Sequence, residues 1–270
     1  MNAPLDPLQT LLNLLAQPFS PAEQFVLLND MEPEAWNALV AEAKRQGVVS
    51  MLYPVVISLE KDHSLVYPLK ERLYESHLTL AVQNTLILED GKILFNSLQK
   101  AGIPSVGLKG IYLLENVYND IGARSMNDID ILVKKQDLAG AMEVLKGLGY
   151  KATTYFDIDD ENVDTKHVPP MQKTGGALVE VHWTLLEEDE PFTIDAAALW
   201  ERVESAAIAG VDALTLGIED LILHLSLHLT YQHYLQLGLR GLLDVALVID
   251  KFKEEIDWQL LVQIAKTWGA

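Results

Sequence analysis

Two aspartates stand in the run Asn127-Asp128-Ile129-Asp130-Ile131-Leu132-Val133. The apolar, partly β-branched residues from Ile129 onward read as a strand, and in a strand side chains two positions apart share a face. Asp128 and Asp130 would therefore stand side by side. Adjacent carboxylates repel unless one is protonated or a cation binds both, and aspartate is a poor strand former. A hard divalent cation removes that cost, with Mg²⁺ the expected ion and Mn²⁺ the other. A solvated strand end carrying two ordinary surface acids accounts for the same spacing.

Three further runs carry groups that such a cation would work with. Gly107-Leu108-Lys109-Gly110 falls where a strand passes into a helix. Glycines there let the backbone approach a phosphate, and Lys109 adds positive charge; a simple turn explains these residues equally well. In Glu180-Val181-His182-Trp183, Glu180 and His182 share one strand face, while Val179, Val181 and Trp183 form a core face. Glu180 would be a third carboxylate if its strand neighbours the Asp128–Asp130 strand. His182 reads as a hydrogen-bonded cleft residue rather than a ligand. Arg124, four residues before Asp128, would hold a triphosphate or pair with a carboxylate, and Ser125 follows it.

The elements that must position these residues fall into three stretches. Residues 1–101 read as helical. Ser20-Pro21-Ala22-Glu23 is a capping box with proline at the first helical position. Trp36, Leu39, Val40 and Ala43 keep helical spacing up to Gly47, and an amphipathic stretch runs from about 69 to 98. Residues 102–204 read as a small α/β core with strands at 103–108, 129–133, 151–156 and 177–185. Short helices are expected at 110–118 and 137–148, and an acidic loop at 157–166. Val168-Pro169-Pro170 fits only a sheet edge or a turn. From Asp195 onward the chain is expected to return to helix, with residues 205–270 a C-terminal helical region. The fold class is thus α+β, a small mixed sheet flanked by helices on both sides in sequence.

Composition narrows the function classes. The chain has 270 residues, no cysteine, and 39 acidic against 20 basic side chains, for a formal net charge of −19. A disulfide framework and a cysteine-ligated zinc site are excluded. Extended nucleic acid and anionic membrane are disfavoured as partners, because binding them needs Lys and Arg. The acidity is concentrated: residues 155–220 hold 16 acids and 3 bases, while residues 100–154 hold 6 and 7. The near-neutral block is the one that carries the two aspartates. The start has no basic segment followed by an apolar one, so cytoplasm is the default compartment. Leu221 to Leu239 lacks Asp, Glu, Lys and Arg, but its His224, His228, His233, Gln232 and Gln236 favour a buried helix over a membrane span.

Taken together, Leu108-Lys109-Gly110, Tyr118, Gly122, Arg124, Asp128-Ile129-Asp130, Gly149-Tyr150 and Glu180-Val181-His182-Trp183 resemble the nucleotidyltransferase fold of the polymerase-beta type. The resemblance is strongest to the branch called uncharacterised nucleotidyltransferases, and it extends to Leu225-Ser226-Leu227-His228 and Leu239-Arg240-Gly241-Leu242-Leu243-Asp244. It implies that Asp128 and Asp130 bind metal and triphosphate, and that Glu180 completes the metal site and activates the acceptor. Gly107, Lys109, Gly110, Arg124 and Ser125 would contact the nucleotide, with His182 and His228 at the cleft. It implies an NTP donor, ATP above all, and an unidentified small-molecule or protein acceptor. One departure stands out: the wider superfamily has Gly-Ser or Gly-Gly in its phosphate turn, whereas this chain has Lys109-Gly110, and Ser125 lies too far along to replace that serine. Similar chains continue past the point where this one ends, so the C-terminal region is expected to be cut short.

Two other functions fit parts of this pattern. A non-catalytic nucleotide- or partner-binding module would explain the missing serine. A glycosyltransferase using Asp-x-Asp would need a larger Rossmann-like region before the motif than residues 102–128 provide. The acidic segment suits a positively charged acceptor, such as an amine. His224 and His228 share a helix face, His233 would lie opposite if the helix continued, and Arg240 and Asp244 would pair with each other.

Overall fold

Each of the first three helices begins on a proline, at a position where the backbone N–H has no intrahelical partner to lose. These are α1 (Pro7–Leu15), α2 (Pro21–Asn29) and α3 (Pro33–Arg45), followed by α4 (Leu52–Asp62) and the long α5 (Lys70–Lys100). The computed structural model of the chain describes residues 6–15, 21–29, 31–62, 70–154, 166–187 and 190–270. Ser20 of the expected capping box and most of the expected acidic loop at 157–166 lie outside the described residues. Trp36, Leu39, Val40 and Ala43 are buried as their spacing predicts, packed with Leu11, Leu14 and Leu52. Leu239 and Leu243, from far along the chain, complete this cluster.

Beyond α5 the chain forms β1 (Ser105–Gly107), the single turn α6 (Gly110–Leu113) and a π-helical turn over Leu114–Tyr118. Then come β2 (Asp128–Val133), α7 (Leu138–Gly147), β3 (Lys151–Ala152), β4 (Met171–Gln172) and β5 (Leu178–His182). Asp137 lies at the start of α7, but its side chain makes no capping hydrogen bond.

The return to helix expected at Asp195 is corrected. Asp195 caps the short α8 (Ala196–Glu201), accepting from the backbone N–H groups of Ala197 and Ala198. A hairpin of β6 (Glu204–Ile208) and β7 (Val211–Thr215) follows before α9 (Ile218–Leu227), α10 (Gly238–Phe252) and α11 (Trp258–Trp268). Ala206, Ala207 and Ala213 weaken the alternation that marks a strand. The turn is Ala209-Gly210, both at positive φ (53° and 68°), in place of the usual Asn-Gly signal. β7 pairs parallel with β1, so the sheet continues past the expected boundary at 204.

The seven strands order as β3-β4-β5-β2-β1-β7-β6. β2 and β5 run parallel to each other, and β1 is antiparallel to β2. α5 packs along the sheet with Leu94, Phe95 and Leu98 in the main core. Among the described residues no helix is long and apolar enough to cross a membrane. The apolar stretch from Leu221 is broken after α9 by a second π-helical turn, His228–Gln232.

Gly107 closes the packing between β1, α5 and the hairpin. A Cβ there would fall 2.5 Å from Ile208 Cδ1 and 3.3 Å from Phe95 and Ile111. Gly107→Ala is expected to cost about 1–3 kcal/mol through overpacking, read as a lower urea midpoint. An unchanged midpoint would show that Ile208 simply moves aside.

Candidate active site

Parallel pairing of β2 with β5 decides which acids meet. Asp130 is the register partner of Glu180, Asp128 of Leu178, and Leu132 of His182. The third carboxylate expected from the sequence thus stands beside Asp130. His182 Nε2 lies 2.9 Å from Asp130 Oδ1 and 3.6 Å from Glu180 Oε2. An ionised carboxylate only accepts hydrogen bonds, so Nε2 carries the proton in this contact. Asp130, Glu180 and His182 each offer a ligand atom within 4.8 Å of the others. The tightest cluster among the described residues therefore contains His182, which sequence reading kept outside the ligand set, and does not include Asp128.

Lys109 Nζ lies 3.1 Å from the same Oδ1 of Asp130. Lys109 sits at φ 47°, ψ −121° between β1 and α6, a backbone conformation that L side chains rarely adopt. The ammonium is thus placed on a buried carboxylate by a strained turn. Burial pushes the Asp130 carboxyl upward, but Lys109 and His182 overcome it and hold it well below the usual range. Asp128, with no such partner, is pushed up to about 6 by burial and by the charges of Asp130 and Glu180. Glu180 is held below its ordinary value by the adjacent His182 imidazole, against the effect of burial.

His167 also joins this group. Its Nδ1 donates to the Val168 carbonyl at 2.7 Å, which leaves Nε2 as the open nitrogen, 4.0 Å from Glu180 Oε2. Its ring lies 4.9 Å from that of His182, with which it forms an isolated bridge. The only sequence signal for it was the edge-or-turn reading of the Val168-Pro169-Pro170 stretch that follows.

The expected nucleotide contacts separate into two sets. Arg124 is buried and bidentate on Asp244, with Nε and Nη2 each 2.8 Å from a carboxylate oxygen. Burial alone would lower its pKa; Asp244 outweighs this and keeps the guanidinium firmly charged. Tyr118 donates to the same Asp244 at 2.7 Å. The sequence pairing of Arg240 with Asp244 is corrected, because Arg124 occupies that carboxylate. Arg240 instead donates to Ser125 Oγ at 2.9 Å. Among the described residues it has no ion pair, and burial and the neighbouring Arg124 charge lower its pKa. Gly110 serves the Arg124 contact: a Cβ there would fall 2.8 Å from Arg124 Nη1. Gly107 faces the core. Of the expected set, Lys109 alone lies on the carboxylates.

The loop bearing Arg124 is held from both helical regions. Asn84 of α5 donates to the carbonyls of Ile121 and Arg124, and Ser50 donates to that of Ala123. Gln46 accepts from the backbone N–H of Leu239 at 3.0 Å, tying the end of α3 to the start of α10.

The π-helical turn also changes the histidine geometry. It brings His233 onto His228, with their Nε2 atoms 3.1 Å apart, so the opposite-face placement is corrected. Burial and then the Lys109 charge push His228 down to about 2 and His224 well below its ordinary value, so both are neutral near pH 7. A cavity of about 860 Å³ lies elsewhere, lined by Lys134, Trp183, Phe192 and Trp200. Trp183 points to the sheet face opposite Glu180 and His182.

Two outcomes follow from these charges. Asp244→Asn leaves a buried guanidinium without its counter-charge, which is expected to cost about 3–5 kcal/mol by denaturant unfolding. A loss no larger than that of a surface substitution would rule out the pair as a structural anchor. The raised pKa of Asp128 stabilises the fold fully below its ordinary value of 3.8, and this is lost as pH rises through about 6. In chelator, Asp128→Asn should therefore be more stable than the parent at about pH 7.5, and the gain should vanish by about pH 3.5. A gain independent of pH would refute the charge argument.

Comparison with known proteins places the chain in a family. The sequence model of a family described as uncharacterised nucleotidyltransferase matches residues 32–270. No curated protein matches the chain. Among solved structures, the solution structure of the antibiotic-resistance factor ANT(2'')-Ia aligns with a TM-score of 0.45 and 14% identity, covering 66% of this chain and 89% of that one. The crystal structure of ANT(2'')-Ia in complex with adenylyl-2''-tobramycin gives a TM-score of 0.46 and 14% identity, covering 68% and 98%. The family match spans most of the sequence, including every run that carries the carboxylates and their partners, and the chain belongs to the uncharacterised nucleotidyltransferase family.

Proposed function

We propose that the chain moves a nucleoside monophosphate from an NTP, with ATP the expected donor, to a hydroxyl or amine of a small-molecule or protein acceptor. The observation that carries this reading is the register of Asp130 against Glu180. It puts two carboxylates on one face of adjacent parallel strands, with Asp128 on the same face of β2. Their oxygen donors fit a hard divalent cation, Mg²⁺ or Mn²⁺. Such a cation would supply charge neutralisation for the phosphates and the reacting oxygens.

The chain's own residues account for the rest. In the transfer, the acceptor oxygen or nitrogen bonds to the α-phosphorus. The bond to the oxygen bridging the α- and β-phosphates breaks, and pyrophosphate leaves with that electron pair. Glu180, held ionised, takes the acceptor's proton. Lys109, released from Asp130 when another cation neutralises that carboxylate, is the mobile positive charge for the triphosphate. Arg240 is the second phosphate contact we assign, because its guanidinium has no carboxylate of its own among the described residues. Arg124 holds the loop by pairing with Asp244. The acidity of residues 155–220 opposes an extended nucleic acid and suits a positively charged acceptor.

A second reading, a nucleotide-binding module without catalysis, is favoured by two observations. The turn serine is absent and Arg124 is committed to Asp244. The glycosyltransferase reading has no support from the family.

Calorimetry with ATP and Mg²⁺ tests the site. The parent chain should bind nucleotide in a metal-dependent way, and Asp130→Asn should not. Glu180→Gln should keep nucleotide binding and lose at least about 100-fold in pyrophosphate release with hydroxyl- and amine-bearing acceptors. No metal-dependent binding by the parent would refute the enzyme reading. Binding without transfer to any acceptor would favour the second reading.

A further inference from the structure

The cation cluster contains one group that sequence reasoning kept apart from the metal. His182 is 2% exposed, and its Nε2 is the nitrogen nearest both Asp130 and Glu180. We propose that His182 is a direct ligand of the cation, and that its imidazole makes the site prefer first-row transition ions to Mg²⁺. The inference rests on the nucleotidyltransferase reading only in taking a divalent cation to bind between these carboxylates.

The argument begins with position. The three side chains come from two neighbouring strands whose register is set by backbone pairing. Their ligand atoms already lie within 4.8 Å of one another. Ligands of one ion, at bonds of about 2.0–2.2 Å, must lie within about 4.4 Å of each other, so little adjustment is needed. Asp128 shares the face of β2 but is two register pairs farther from His182 than Asp130 is.

The proton comes next. In the present arrangement Nε2–H points at Asp130 Oδ1, and a cation accepted by Asp130 and Glu180 would meet that hydrogen. The conflict is removed if the proton moves to Nδ1, leaving the Nε2 lone pair for the ion. Nδ1 is buried and has no hydrogen-bond partner, so the contact with Asp130 alone keeps the proton on Nε2, and a cation on Asp130 replaces that contact. Lys109, on the same Oδ1, is displaced in the same event.

The choice of ion follows from ligand chemistry. Mg²⁺ is selected by all-oxygen sites and retains its waters. An imidazole nitrogen favours the transition series, whose affinities for such sites rise from Mn²⁺ onward. Two carboxylates and one imidazole form a mixed set, and the imidazole is the part that discriminates.

Mn²⁺ is the probe. Electron paramagnetic resonance of free Mn²⁺, with Mg²⁺ as competitor, gives the two affinities for the parent chain, His182→Gln and Asp130→Asn. The parent should favour Mn²⁺ over Mg²⁺, and His182→Gln should reduce that ratio by about tenfold. Asp130→Asn should lose both ions. Spin-echo modulation of the Mn²⁺-loaded parent should show a directly coupled nitrogen, a measurement that needs no variant to fold. A parent without nitrogen coupling, or a ratio unchanged in a folded His182→Gln, overturns the proposal and leaves the nucleotidyltransferase reading intact. Binding of neither ion by the parent overturns both.

Discussion

Asp130 is an ionised carboxylate on a central strand, 4% exposed, and the organisation of the site follows from keeping that charge in place. An unpaired buried carboxylate is strongly unfavourable. Here two donors share one oxygen, the Lys109 ammonium and the His182 imidazole. Each depends on a particular backbone feature. Lys109 reaches Asp130 from a turn at positive φ, and His182 reaches it because β5 runs parallel to β2 in one particular register. The strain at Lys109 is the local cost of an internal counter-charge.

A second buried charge pair does for the architecture what Asp130 does for the site. Arg124 joins the loop before β2 to Asp244 of α10, and Tyr118 donates to the same carboxylate. α10 in turn packs Leu239 and Leu243 into the N-terminal helical cluster. Asn84 and Ser50 hold the same loop from the other side. The helical regions at both ends of the chain thus fix the approach to β2 and meet each other there. Because Arg124 is used in this way, the ammonium in contact with Asp130 is that of Lys109.

Much of the fold was legible in the sequence because local patterns carry it. The helical spacing of Trp36 to Ala43, the unbroken stretch that became α5, and the strands around Ile129–Val133 and Val179–Val181 all appear where the periodicity placed them. The hairpin at 204–215 was missed because alanines hide its alternation and its turn is Ala-Gly. The opposite-face reading of His233 failed because one π-helical turn changes the angle between residues on a helix.

The sequence by itself determined that Asp128, Asp130, Glu180 and His182 would stand on strand faces, since side-chain alternation is local and needs no knowledge of neighbours. It also excluded a cysteine-ligated metal site, since the chain has no cysteine. Tertiary structure alone decided the pairings. Strand register put Glu180 beside Asp130 and His182 within reach of both, and helix packing gave Asp244 to Arg124 rather than to Arg240. The physical reason is that charge pairing depends on distances of a few ångströms between segments far apart in the chain. In the sequence, Arg240 and Asp244 are neighbours and Arg124 is remote; in the folded protein the remote residue has the better geometry.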